Sequence, residues 1–251
     1  GPVGFDRYPK IVDPASGFVM NANNTPFLAA GPGSEMKPAD YSPYLGIELG
    51  MTNRGLRATE LLAADTSITP DELLAIKMDM TYSKQSWVGA WMASFAALDL
   101  KDAPELAKAQ KLLAGWDWTS DGKGSADAFA ERIIRFGARP HWLGDTMPDA
   151  RSTLQEAVTE FTSRFGRIDP PLGDIQRLRR GNVDLPMLGG TDALRATTAW
   201  DADQADGKMR VKHGDSYIML VRWDKAGNVL SESIQPYGAA TTRPESPHYT
   251  D

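Results

Sequence analysis

The chain contains no cysteine. Disulfides, thiolate nucleophiles and cysteine zinc sites are therefore excluded. Imidazole is also scarce. His141, His213 and His248 are the three histidines, without an HExxH pattern or close pairing, so a transition-metal centre lacks its usual ligands. No apolar run approaches the roughly 20 residues of a membrane span, and the opening "GPVGFDRYPK" has neither the basic nor the apolar region of a signal peptide. Gly1-Pro2 is a dipeptide that tag-removing proteases leave behind and is set aside. A net charge of -6 and a pI near 5.2 argue against a phosphate-backbone binder, which carries a basic face, so nucleic acid is not an expected partner. There is no GxSxG elbow, no GxxxxGK[ST] loop and no GxGxxG fingerprint. "GPGS", Gly31 to Ser34, is only a glycine-containing loop with no basic partner after it.

What is present is an ordinary globular composition, 251 residues with 41% hydrophobic, enough for a substantial core. "KIVDPASGFVMNA" predicts a strand, a turn over Asp13 to Gly17, and a second strand through Phe18, Val19 and Met20. From Thr25 to Arg54 the Gly/Pro/Ser-rich sequence has no period and reads as a long loop of the binding or lid type. Helices follow. Thr69-Pro70-Asp71-Glu72 is a capping box with proline at the first helical position, starting a helix whose Leu73, Ile76 and Met80 share a face. Trp87, Trp91, Phe95 and Leu98 recur at helical spacing and read as packing core. "APELAKAQKLLAGW", "SADAFAERIIRF" and "ARSTLQEAVTEFTSRFG" are three further amphipathic helices, the first two separated by the turn "TSDGKG".

After "RIDPP" the sequence reads as irregular through "RRGNVDLPMLGGTDALRA", with "RLRRG" as a surface or interface cluster. "DSYIMLVRWD" is apolar at both parities, as in a strand buried on both faces, and "DKAGN" turns it back into "VLSESIQPYG" as a hairpin. Asp201, Asp203 and Asp206 read as a solvated loop, acidic enough for calcium but without the EF-hand pattern. The order of strands, helices and strands predicts an α+β layered fold in which both ends join one sheet. No domain boundary interrupts residues 1–251, which divide into strands and a long loop (1–54), a mainly helical stretch (55–168), and an irregular segment with a strand hairpin (169–251).

"NANN", Asn21 to Asn24, has two readings. Asparagines at a strand end supply turn chemistry. Held rigidly, one of their amides is also a good oxyanion donor, because it offers an N–H without a titratable charge.

"DPASGFVMNANNTP", "RATELL" with "ITPDEL", "LPMLGGTDALRA", "GDSYIMLVRWD" and "SPHYTD" follow one another in an order that resembles the penicillin acylase family of N-terminal nucleophile hydrolases. Asp13 stands where that family's first motif begins with asparagine. The resemblance covers nearly the whole chain and implies a fragment of the layered αββα fold, the C-terminal part of the large chain. It implies an amidohydrolase of the β-lactam, acyl-homoserine lactone or lipopeptide type, made by autoproteolysis, with an N-terminal serine as nucleophile and that residue's own α-amino group as base. Asn23 matches the asparagine of the oxyanion hole, leaving Asn24 to fix the turn. Arg57, in "RATE", matches an arginine that orients the site electrostatically, and a salt bridge anchoring the helix start is the competing reading.

The chain begins "GPVGF", with no catalytic Ser, Thr or Cys at residue 1. The resemblance therefore implies partners: the remaining acylase segments, including the nucleophile-bearing part, and a small acyl-amide substrate. Alone, the chain is expected to hydrolyse nothing. Calcium is implied as a structural ion between chains, with no ligand assignable here. A periplasmic or secreted location is implied as well, in keeping with the missing cysteines. A non-catalytic binding or assembly module on the same scaffold is the alternative function.

Overall fold

The computed structural model describes residues 3–199, 206–234 and 242–249. The architecture is α+β, a helical layer followed by short strands in small sheets. The helices are α1 (Asn53–Ala63), α2 (Pro70–Lys77), α3 (Trp87–Ala96), α4 (Pro104–Ala114), α5 (Asp127–Leu143), α6 (Ala150–Phe165) and the single turn α7 (Leu172–Ile175). Among the described residues no helix is long and apolar enough to cross a membrane.

The core lies between α3, α4, α5 and α6. Trp91 packs edge-on against Phe95 and Phe129 against Phe161, with Val88, Ile133, Ile134 and Leu154 fully buried around them. The apolar stripe of α3 thus packs as its spacing predicts, except at its ends. Leu98 falls beyond the helix, and Trp87 is only half-buried. The capping box of α2 forms in full, with Thr69 Oγ1 accepting from the Glu72 N–H and the Glu72 carboxylate accepting from the Thr69 N–H. The helix ends at Lys77, however, so Met80 does not share its face. "SADAFAERIIRF" forms α5, which runs on through Pro140 to Leu143.

The predicted N-terminal strands are not formed. The turn between them is, with the Gly17 N–H donating to the Pro14 carbonyl at 2.9 Å, but beyond it only a single bridge pairs Val19 with Ala30. A strand needs a continuous partner to satisfy its backbone, and the facing segment is instead coiled into 3-10 turns over Pro26–Leu28, Pro38–Asp40 and Pro43–Leu45.

The stretch expected to be irregular contains a hairpin. Strands β1 (Gln176–Arg180) and β2 (Val183–Pro186) pair antiparallel, with Arg177 opposite Pro186 and Arg180 opposite Val183. Its polar residues conceal the strand from a hydrophobicity pattern, because the arginines bond along the ladder. Arg177 pairs with Asp184 at 2.7 Å, and Arg179 with Asp206 at 2.5 Å. That pairing holds the Asp206 carboxyl down at about 2, so Asp206 belongs to an ion pair. Asp201 and Asp203 lie outside the described residues. Strand β3 (Thr197–Thr198) pairs with β5 (His213–Gly214), and β4 (Met209–Arg210) runs parallel to β1.

The C-terminal hairpin forms as predicted from β6 (Ile218–Trp223) and β7 (Val229–Ile234), closed by the Asp224–Asn228 turn. Its burial does not follow the prediction. Every residue of β7 is exposed, as are Met219 and Trp223 of β6. Two strands alone cannot cover both of their own faces, and among the described residues the start of α2 borders the hairpin at Leu220, Val221 and Leu230 without burying it.

Candidate functional site

The asparagine turn is docked on the N-terminus of α1. Thr52 caps that helix, its Oγ1 accepting from the Gly55 N–H at 3.0 Å while its hydroxyl donates to the Ala22 carbonyl at 2.9 Å. The Thr25 N–H adds a bond to the Gly50 carbonyl at 2.9 Å. Gly55 belongs at this contact, because a Cβ there would lie 3.1 Å from the Cβ of Asn24.

Within the turn the three asparagines divide their work. Asn24 is buried, accepting from the Ala22 N–H at 2.8 Å and donating to the Thr25 carbonyl at 2.9 Å. Both ends of its amide are spent on the backbone, as expected of the residue that fixes the turn. Asn21 accepts from the Asn23 N–H at 2.9 Å. Asn23 is exposed and has φ of 56°, a left-handed conformation that asparagine tolerates better than most side chains. Its Oδ1 accepts from Arg54 Nη2 at 3.1 Å. Among the described residues nothing accepts from its Nδ2, so the N–H2 end of that amide is left as an outward donor.

Arg54 is held from behind. Its Nε donates to Asp192 Oδ1 at 3.0 Å, and the Asp192 side chain is completely buried. Asp192 Oδ2 accepts from the Asn53 N–H at 2.8 Å and from Trp87 Nε1 at 2.9 Å, while the Asp192 carbonyl accepts from Asn53 Nδ2 at 2.7 Å. This carboxylate therefore satisfies a free backbone N–H in the first turn of α1, where a negative charge is favoured, and anchors the one guanidinium that reaches Asn23. Like Asn23 it has a positive φ, 64°. Trp87 makes this contact from a half-buried position. Its ring stacks on His141 with centroids 4.7 Å apart, and burial pulls that imidazole below its ordinary pKa, against the pull of Asp192.

Arg57 faces elsewhere. Its Nε and Nη2 grip the Asp79 carboxylate at 3.0 and 3.1 Å, and Nη1 reaches Glu60 at 3.3 Å. Its hydrogen bonds to Asp79 raise its pKa further, with burial opposing. Sequence reasoning selected Asn23 and Arg57. The structure places Arg54, three residues earlier and on the same helix, beside Asn23, and Asp192 behind it. The signal for Arg54 was the "TNR" start of α1, where a side chain in the first turn points at whatever caps the helix. For Asp192 it was the Gly-Gly-Thr-Asp turn inside a motif already singled out.

Asn23, Arg57 and Asp192 sit in the motifs that carry the family likeness, and the family model for penicillin amidase matches residues 1–251. The chain belongs to the penicillin amidase family. Among curated proteins the acyl-homoserine lactone acylase PvdQ of Pseudomonas syringae pv. tomato is 26% identical over 267 residues, covering 93% of this chain and 34% of that acylase. The chain thus spans about a third of that relative's length. For the calcium that the family resemblance implies, the described residues of this penicillin amidase member supply no group of three or more acidic or histidine side chains placed to hold a metal ion.

Proposed function

We propose that the complete protein is an amidohydrolase that cleaves an acyl-amide bond of the β-lactam, acyl-homoserine lactone or lipopeptide type, and that this chain supplies its oxyanion donor. The supporting observation is the orientation of one amide: Arg54 occupies Oδ1 of Asn23 and leaves Nδ2 as a donor. When a nucleophilic oxygen adds to the substrate carbonyl, the carbonyl oxygen takes up negative charge, and an N–H fixed beforehand stabilises it without reorganising. The Arg54 guanidinium adds positive potential beside that position, and Asp192 holds the guanidinium in place. Asn23 is thus the residue that touches the reacting atoms, while Arg54 and Asp192 position it. Arg57 anchors α1 to the Asp79 segment.

The nucleophile is an N-terminal serine, exposed by autoproteolysis on a segment that partners this chain. Family membership and the similarity to an acyl-homoserine lactone acylase support this reading. A periplasmic or secreted location fits the absence of cysteine. The test is hydrolysis by the full-length, processed protein of a panel of acyl-homoserine lactones, penicillins and lipopeptides. Turnover of none of them by a protein that carries a serine after a processing site would overturn the proposal. Absence of such a serine would favour a binding module on the same scaffold.

A further inference from the structure

At the centre of the helical layer, a carboxyl group, two hydroxyls and a main-chain carbonyl make more oxygen-to-oxygen contacts than the two hydroxyls have protons to supply. Glu131 on α5 is completely buried. Its Oε1 lies 2.5 Å from the Tyr82 hydroxyl and 2.6 Å from the Ser120 hydroxyl, and its Oε2 accepts from the Thr191 N–H at 3.1 Å. The same Tyr82 hydroxyl is 2.8 Å from the carbonyl oxygen of Thr191. Three oxygen-to-oxygen contacts each need one proton, and the hydroxyls of Tyr82 and Ser120 carry one apiece. If Tyr82 gave its proton to an ionised Glu131, the buried Thr191 carbonyl would face a lone pair, because no other donor reaches it among the described residues. Gly190 closes the cluster so tightly that a Cβ there would stand 1.9 Å from Glu131 Oε1 and 2.2 Å from the Tyr82 oxygen.

We propose that Glu131 is a neutral carboxylic acid in the folded protein, and that it positions the Thr191–Asp192 turn by giving its proton to Tyr82. The three protons then account for the three contacts. Glu131 donates to the Tyr82 oxygen, Tyr82 donates to the Thr191 carbonyl, and Ser120 donates to Glu131 Oε1.

The surroundings agree. Burial pushes the Glu131 carboxyl above its ordinary range, against the pull of its hydrogen bonds and of Arg135. The cation acting on it is Arg135, one turn along α5, whose Nε donates to the main-chain carbonyl of Glu131, not to its carboxyl, at 3.3 Å. The Tyr82 hydroxyl also faces the charge of Asp192, and its pKa is raised well above the ordinary value, chiefly by burial. Tyr82 therefore stays a donor. Thr191 immediately precedes Asp192, so the clamp on its N–H and carbonyl fixes the residue that holds Arg54 against Asn23. This functional consequence rests on the reading of Asn23 as oxyanion donor.

Infrared difference spectroscopy at neutral pH, comparing the protein with Glu131→Gln, tests the protonation state directly. A carboxylic-acid C=O band present in the parent and missing from the variant is expected. A parent spectrum showing only a carboxylate at this position overturns the proposal. Should Glu131→Gln fail to fold, Tyr82→Phe serves instead: the acid band is expected to persist and move to higher frequency as one hydrogen bond is lost, and absence of the band overturns the proposal.

In the complete enzyme Glu131→Ala is expected to lower kcat with KM little changed, while Glu131→Gln, whose N–H2 replaces the missing proton, recovers most of it. Equal losses in both folded variants would overturn the positioning role. Failure of the Asn23 reading is distinguishable, since Asn23→Ala would then retain turnover while the infrared result stood unaffected.

Discussion

Arg54 Nη2 donates to the side-chain carbonyl of Asn23 at 3.1 Å, and this one bond determines which end of the Asn23 amide faces outward. An amide without such a partner could present either end, and only the N–H2 end stabilises an oxyanion.

Replacing Asn23 removes that donor. In the complete, processed enzyme Asn23→Ala is expected to lower kcat by about 10² to 10³ with KM nearly unchanged, the usual cost of one lost oxyanion donor. Asn23→Gly separates chemistry from backbone strain. Glycine accepts a φ of 56° without penalty, so this variant is expected to fold at least as well and to lose turnover to the same extent. Steady-state kinetics on both variants, with thermal unfolding as the control, checks this, and retained turnover in either would remove Asn23 from the mechanism.

The two arginines of α1 are expected to separate by phenotype. Arg54→Met leaves the Asn23 amide without its orienting partner and should lower kcat. Arg57→Met breaks a two-pronged contact with Asp79 that is part-exposed on both sides, and is expected to cost about 1 kcal/mol of stability with turnover close to the parent's. Kinetics and urea unfolding on the pair decide it. The reverse pattern would restore Arg57 as the site arginine.

Asp192 supports both stability and the site. Its carboxylate is completely buried and holds three donors, so Asp192→Ala leaves the Asn53 N–H, Trp87 Nε1 and the guanidinium of Arg54 without their partner. The expected loss is about 3 kcal/mol, as for breaking a buried charged pair from one side. Urea unfolding measures it, and a change within the error of the parent's stability would contradict the arrangement.

Stability should also carry a mark of Asp127. Burial lifts this carboxyl from 3.8 to about 6, helped by the charges of Asp117 and Asp121 and opposed by the N–H groups of Gly122 and Gly124. The folded state therefore binds this proton more tightly than the unfolded chain does. The resulting stabilisation is full below the ordinary carboxylate range, is lost as pH rises from 3.8 through about 6, and does not return above it. Asp127→Asn keeps an oxygen for both glycine N–H groups and cannot ionise. Its melting temperature is expected to fall less than the parent's across that window and to exceed the parent's at neutral pH. Parallel curves for the two proteins would show that Asp127 does not titrate as stated.

Sequence by itself determined the features that depend on neighbours along the chain. The capping box at Thr69 and Glu72, the apolar stripe through Trp91 and Phe95, and the Asp224–Asn228 turn follow from interactions within a few residues, and all of them formed. The ordered motifs likewise placed the chain in its family and pointed to Asn23. Tertiary structure decided whatever needs a distant partner. The Val19 segment lacks a facing strand and makes one bridge, the arginine-rich Gln176–Arg180 pairs as a strand because Asp184 and Asp206 are brought beside it, and the β6–β7 hairpin stays largely exposed. The same holds at the site. Arg54 and Arg57 are both arginines in the first two turns of one helix, and only Asp192, 138 residues from Arg54 along the chain, determines which of them meets Asn23. A hydrogen bond across that separation leaves no periodic trace in the sequence, because its geometry exists only once the helix and the turn have packed together.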